Sequence, residues 1–367
     1  MKTPLPPYNQ LSPCREKLGT HNSVNIMLPQ DVARLFQSEG IFPRRMTMEA
    51  WSKHRELRNH KQGVFLLNGE AWRSDRIILN KEVLSLAGVK KFLPFLDEAA
   101  ADFVTFMKKR MSKNTRGSLT VDLYADLFRF TLEADRCIQN IYQEYCLGQE
   151  RGYSGIMAEL LLQAELPLDS IKANITELMA GGVDTTAMPL LFTLFELARN
   201  PSVQRELREE IRKAEAQNPN DLNQLLNSLP LLKGAIKETL RLYPVGITVQ
   251  RHLIKDIVLH NYHIPAGTLV QVGLYPMGRS PLLFQDALRY DPARWLKRED
   301  TNFKALAFGF GSRQCIGRRI AETEITLFLM HMLKNFQIDT VSKDDIKTVF
   351  GFILMPEKPP LLTFRPI

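Results

Sequence analysis

The stretch Phe308-Gly309-Phe310-Gly311-Ser312-Arg313-Gln314-Cys315-Ile316-Gly317 constrains this chain more than any other. One cysteine sits in a glycine-containing turn that runs straight into a helical pattern, with Ala321, Ile325, Phe328 and Met332 on one face. Cysteine ligates a metal as the thiolate, which needs a positive environment to stay deprotonated. The N-terminus of the following helix and the neighbouring backbone N–H groups provide it. Gly311 permits a tight turn, and Gly317 lets a flat group approach the backbone closely. Arg313 can form a charge-assisted pair with an acid group on that ligand. Phe308 can wall the sulfur from water, which tunes a bound metal.

The chain has 367 residues, of which 44% are hydrophobic and 24% charged, so a sizeable core is expected. Cysteines stand at 14, 137, 146 and 315, with no CxxC pair, which excludes zinc ribbons and thioredoxin motifs. Their spacing suggests no disulfide framework, and a reducing compartment fits. Net charge is +8, but no run of five or six basic residues occurs and aromatics are not interleaved with Lys and Arg. Nucleic-acid binding is therefore not expected. No stretch approaches the roughly 18 to 20 consecutive apolar residues of a spanning helix, so a membrane is expected to be touched rather than crossed. The N-terminal residues show neither the apolar core of a secretory signal nor an Arg-rich amphipathic helix, so an import signal is expected to be absent from this chain.

Helical periodicity marks residues 29–38, 94–114, 168–199, 202–216 and 231–243, the last ending at Pro244. Residues 245–275 alternate and are β-branched, broken at Pro265-Ala266-Gly267, and read as a small antiparallel sheet. A short β-like tail closes the chain. The expected architecture is mainly α with small β-sheets, with residues 1–14 as an irregular arm and 15–367 as one domain. Three further patterns accompany the cysteine loop. Glu238 and Arg241 in KETLR lie at i and i+3 on one helix face; alone, such a pair is usually a solvated one worth a few tenths of a kcal/mol. Trp72 and Arg76 in WRSDR stand one turn apart. Ala180-Gly181-Gly182-Val183-Asp184-Thr185-Thr186 lies inside the long helix, where each glycine costs about 1 kcal/mol relative to alanine. The glycines open a groove, and Pro189 lacks the N–H that would bond the carbonyl of residue 185.

FxxGxRxCxG is the signature of the cytochromes P-450, and the chain resembles that family from about Arg15 to Ala134 and again from near Arg136. The resemblance implies the cytochrome P-450 fold and haem b (iron protoporphyrin IX), with Cys315 as the axial ligand of the iron. Trp72, Arg76, Arg251 and Arg313 would contact the haem propionates, with Phe308 beside the sulfur. Glu238, Arg241 and Arg294 would form the buried triad beside the cysteine loop, although Ala293 stands where the family often carries Glu or Gln. AGGVDTT matches the oxygen-activation motif, in which Asp184 and Thr185 handle protons.

HRELRNHKQGVFLLNGEAWR, KETLRLYPVG, NYHIPAGTLV and the closing LLTFRPI resemble the mitochondrial steroid hydroxylases, specifically the 11β-hydroxylase and aldosterone synthase group. Cholesterol side-chain cleavage enzyme is the alternative, on AGGVDTT and ILMPEKP. This resemblance implies a steroid pocket from Trp51, Phe65, Glu177, Ala180, Thr185, Val245, Thr248 and Phe352, with Thr248 in place of a bulkier aromatic. Lys233 and Lys237 would dock an acidic iron–sulfur ferredoxin of the adrenodoxin type. Peripheral attachment to the matrix side of the inner mitochondrial membrane is implied as well. Between Ala134 and Arg136 the chain lacks on the order of sixty to seventy residues that full-length members carry, too many for a loop variation. The missing piece would hold the helices that roof the substrate channel, leaving the fold incomplete. A non-catalytic isoform that binds haem or ferredoxin is the reading from another class.

Overall fold

The computed structural model describes residues 13–18, 21–139, 155–297 and 303–367. In chain order its helices are α1 (Pro29–Gln37), α2 (Glu49–Leu57), α3 (Gly69–Leu79), α4 (Leu86–Ser112), α5 (Tyr124–Gln139), α6 (Gly155–Gln163), α7 (Leu168–Arg199), α8 (Pro201–Gln217), α9 (Leu222–Asn227), α10 (Pro230–Leu242), α11 (Leu274–Gly278) and α12 (Arg318–Asn335). The strands are β1 (Cys14–Leu18), β2 (His21–Ile26), β3 (Leu119–Asp122), β4 (Thr248–His252), β5 (Ile257–Leu259), β6 (Tyr262–Ile264), β7 (Leu269–Gly273), β8 (Phe336–Thr340), β9 (Thr348–Phe350), β10 (Leu354–Pro356) and β11 (Leu361–Pro366). A mainly helical architecture with small sheets is what the patterning predicts.

α7 runs through the middle of the larger core. From Thr186 to Ala198 every residue is buried, so this half of the helix is enclosed on every side, with Thr186, Thr193 and Glu196 among its apolar residues. By length and composition α7 could cross a bilayer; here it packs on α5, α10 and α12 as a core helix. Phe192 stacks on Tyr243 with ring centroids 4.4 Å apart. Phe328 of α12 meets Phe103 of α4 at 5.0 Å and Phe130 of α5 at 4.6 Å, joining three helices. Each such buried ring contributes about 2 kcal/mol by area alone, before ring geometry adds its share. α5 continues without a break from Ala134, which is fully buried, into Asp135.

The 245–275 region departs from a single antiparallel sheet. β4 pairs antiparallel with β7, but β5 and β6 form their own hairpin across His260 and Asn261, both at positive φ. The other edge of β7 is taken in parallel by β2, which also pairs with β1, giving the order β1-β2-β7-β4. Cys14 belongs to β1 and not to an irregular arm, and residues 1–12 of the expected arm lie outside the described ones. A second sheet, β3-β11-β8, collects the C-terminal tail, and β9 pairs with β10.

Candidate haem-thiolate site

The cysteine loop is a tight reversal. Cys315 N–H donates to Phe308 O at 2.7 Å and Gly309 N–H to Leu306 O at 2.7 Å. Gly309 and Gly311 both take positive φ, +70° and +66°, which explains two of the loop's glycines. α12 starts three residues after the cysteine, with Ala321 N–H on Gly317 O at 2.9 Å. Cys315 is solvent-accessible on one side. Around its sulfur, burial raises the thiol pKa, while the Gly317 N–H and the Arg76 charge oppose that shift. Phe308 is half-buried, with the Arg318 guanidinium carbon 5.7 Å from its ring centroid.

Four arginines from four separate segments gather beside this loop. Arg313 donates from Nε to Pro43 O at 2.9 Å, and from Nη2 to Leu67 O at 2.9 Å and Asn68 Oδ1 at 2.7 Å. Its guanidinium carbon lies 4.0 Å from the centroid of the buried Trp72 ring. Arg76 donates to Gln314 O at 2.7 Å and Asn80 Oδ1 at 2.8 Å. Arg251 pairs with Glu39 at 2.6 Å and reaches Phe310 O at 3.3 Å. Arg45, which no sequence pattern singles out, is the fourth.

Burial, with repulsion from Arg45, Arg251 and Arg76, pushes the Arg313 pKa down to about 8. Burial first, then Arg251 and Arg76, brings Arg45 to about 10, and burial brings Arg76 to about 10. Among the described residues, Glu39 on Arg251 is the one carboxylate in an ion pair with these four cations. Arg313 Nη1 is buried without a hydrogen-bond partner. An excess of buried cations with an orphaned donor is a site built for anions.

The residues fit haem. Its acid groups would supply the missing negative charge on Arg45, Arg76, Arg251 and Arg313, and Cys315 would be the residue that holds its iron. Among the described residues there is no cluster of three or more His, Cys, Asp or Glu side chains that could hold a bare ion. A Cβ built on Gly317 or Gly181 meets nothing within 4 Å, so protein fills neither position.

The Glu238 triad is assembled, with Glu238 and Arg241 buried and Arg294 half-buried. Glu238 accepts from Arg241 Nε at 2.8 Å and Nη2 at 2.7 Å, Arg294 Nε at 3.0 Å, Trp295 Nε1 at 2.9 Å and Asp291 N at 3.0 Å. Arg241 also donates to the carbonyls of Gly278, Ala287 and Arg289. α10 is thereby tied to the segment that follows α11, and Ala293 does not disturb the triad.

In the groove of α7, Thr185 donates to Gly181 O and Asp184 is exposed. Of the expected pocket residues, Trp51 and Phe65 meet with centroids 5.7 Å apart. Val245 and Thr248 are half-buried, while Ala180 and Phe352 are exposed, so these side chains are not gathered into one enclosed pocket. Glu177, expected as the polar member of that pocket, instead accepts from the backbone N–H groups of Gly63, Phe65 and Leu66. Three backbone donors 111 to 114 residues away claim its carboxylate, a fact no local pattern carries.

Lys233 and Lys237 of α10 line a cavity of about 540 Å³, together with Phe308, Arg318 and Arg319. Lys237 is exposed and Lys233 half-buried. Burial lowers the Lys233 pKa, opposed by Glu322 and reinforced by Lys237.

A family model described as "Cytochrome P450" matches residues 12–134 and 133–364. The chain is 83% identical to "Cytochrome P450 11B, mitochondrial" of Aquarana catesbeiana over 429 aligned residues, covering 98% of this chain and 83% of that one. It is 45% identical to "Cytochrome P450 11B1, mitochondrial" of Ovis aries (98% and 86% covered). To "Cholesterol side-chain cleavage enzyme, mitochondrial" of Oncorhynchus mykiss it is 42% identical (98% and 84% covered). A lone cysteine on a packed loop, an arginine cradle short of anions and these matches point the same way: the chain belongs to the cytochrome P450 family, among relatives of the mitochondrial 11B type.

Proposed function

We propose that this P450 hydroxylates a steroid, at the 11β position of a corticosteroid precursor, using dioxygen and electrons from a reduced iron–sulfur ferredoxin. The observation that carries this reading is the 83% identity to an 11B-type relative across 98% of the chain. Haem b on Cys315 supplies the redox and dioxygen chemistry when bound. Arg76, Arg251 and Arg313 hold its acid groups, and Trp72 supports Arg313 from below. Asp184 and Thr185 pass protons along the groove of α7. Trp51, Phe65, Val245, Thr248 and Phe352 contact the steroid, and Ala180 leaves room for it.

An acidic ferredoxin of the adrenodoxin type docks on the face with Lys233, Lys237, Arg318 and Arg319. That choice rests on the basic character of the face and on its position behind the cysteine loop. The relatives' names place them in mitochondria, and peripheral attachment to the matrix side of the inner membrane goes with that reading.

A second reading follows from one observation. The family match comes in two segments that meet at residues 133–134, and the alignment to the Aquarana catesbeiana relative spans 429 residues against 367 in this chain. We infer that roof-forming residues are absent at this junction, which makes a haem-binding isoform without turnover the competing function. Reconstitution with reduced ferredoxin, dioxygen and a corticosteroid precursor lacking the 11-oxygen separates the two. An 11β-hydroxylated product supports the enzyme. Haem uptake without product supports the isoform, and turnover of cholesterol instead supports the side-chain cleavage alternative.

A further inference from the structure

Tyr243, at the C-terminal cap of α10, is held rigidly and reaches outward with its hydroxyl. Its ring stacks on Phe192 of α7, with centroids 4.4 Å apart and planes 1° from parallel, and the Arg279 guanidinium carbon lies 5.1 Å from its centroid. Its Oη stands 2.7 Å from Glu196 Oε1 of α7 and 3.2 Å from Asp345 Oδ1. A phenol has one proton to donate, so the two carboxylate oxygens share it. Arg199 Nη1 spans the same two oxygens, at 3.4 Å and 3.2 Å. Glu196 is buried and Asp345 exposed. Two carboxylates repel each other, and the donors of Tyr243 and Arg199 hold this pair together.

Asp345 stands just before β9, on the strand that enters the β9–β10 turn. The strand that leaves the turn is gripped from the same stretch of chain: Val245 O accepts from Leu354 N at 2.9 Å. Glu357 N donates to Lys347 O at 2.8 Å across the base of the hairpin. Phe350 and Phe352 in the turn are 48% and 64% exposed, so packing does not fix the tip, and the grip on its two strands does. Glu196 lies on the same helix as the oxygen groove, about three turns beyond Thr185. A continuous path of contacts therefore runs from α7 through Glu196 and Tyr243 to both strands of the hairpin.

We propose that Tyr243, Glu196 and Asp345 are positioning residues that set the β9–β10 hairpin, and with it Phe352 and Val245, relative to the oxygen groove, so that they govern how tightly and in which pose the steroid is held. The role in specificity rests on the steroid reading above. None of the three touches the substrate; they act through the hairpin.

The test combines hydrogen exchange, read by mass spectrometry, with spectral titration of the haem-loaded protein. Tyr243→Phe keeps the ring contacts and removes the hydroxyl. It speeds exchange of the amides in 348–356 by about tenfold and leaves Thr186–Ala198 as protected as before. The dissociation constant of a corticosteroid precursor lacking the 11-oxygen rises about threefold to tenfold, while that of imidazole, too small to reach the hairpin, stays unchanged. Asp345→Ala acts in the same direction, and the double variant goes little further than either, as for members of one unit. Because Asp345 is exposed, its variant also covers the case where Tyr243→Phe does not fold. Hairpin exchange that stays unchanged, or that rises equally in α7, overturns the clamp and leaves the steroid reading standing. Faster hairpin exchange with unchanged steroid affinity overturns the role in specificity. Wild-type protein that binds imidazole but no steroid refutes the steroid reading itself, and that role with it.

Discussion

Glu238→Gln separates a buried structural pair from a helical surface pair. The carboxylate is fully buried and receives five donors, from Arg241, Arg294, Trp295 and the Asp291 backbone. A glutamine of the same shape keeps one acceptor oxygen and turns an NH₂ toward the guanidinium groups. At least one buried cation then loses its counter-charge. Removing one partner of a buried pair costs about 3–5 kcal/mol, against about 0.2–1 kcal/mol for an exposed pair. Unfolding entropy is about 2.1 cal/mol/K per residue, so for 367 residues that loss lowers the thermal midpoint by about 4–6 °C.

The assay is thermal denaturation of the haem-loaded protein, followed by Soret absorbance and far-UV circular dichroism at one fixed scan rate. A drop below about 1 °C would refute the burial argument. Replacing Glu238 and Arg241 together by Leu and Met does not restore the midpoint, because the carbonyls of Gly278, Ala287 and Arg289 then lose their donor.

Thr185→Ala lowers the product formed per electron consumed by about tenfold or more, measured as steroid product against reduced ferredoxin oxidised; unchanged coupling would remove Thr185 from the proton path. Lys237→Glu slows reduction by an acidic ferredoxin by about tenfold at low salt, and the difference narrows as salt is added. Stopped-flow rates that ignore both the charge and the salt would move the docking face elsewhere. Glu196 is buried, accepts from Tyr243 Oη at 2.7 Å, and burial raises its pKa above the ordinary 4.5. A raised folded value means its contribution to stability is full below about 4.5 and is lost as pH rises through the folded value. Wild type should therefore lose stability relative to Glu196→Gln as pH rises above the ordinary 4.5 and through the raised folded value. Thermal midpoints that diverge in the opposite sense contradict this.

The cysteine loop was legible as a fold element because its pattern is local: ten consecutive residues specify a turn and a helix start. The Glu238 set was nearly as legible, since its central pair lies one helical turn apart. What escaped is long-range. Arg45 and Asn68 matter through bonds to Phe65 and Arg313 that no period encodes. Glu177 was placed correctly on its helix, but the backbone of Gly63–Leu66 decides what its carboxylate meets. The 245–275 strands showed the right alternation, yet alternation says nothing about partners. β7 takes the N-terminal β2 in parallel and leaves β5 and β6 to pair alone. Burial along α7 explains the remaining mismatch with apolar-run counting: few of its residues form a continuous apolar run, but the second half is enclosed on every side.

Ligation of a haem iron by the Cys315 thiolate is tested most directly by the carbon-monoxide difference spectrum of the reduced protein. A Soret band at the position characteristic of thiolate ligation is expected in the wild-type chain, and its disappearance in Cys315→Ala. Wild-type protein that retains no haem, or a thiolate-type band that survives Cys315→Ala, would contradict it.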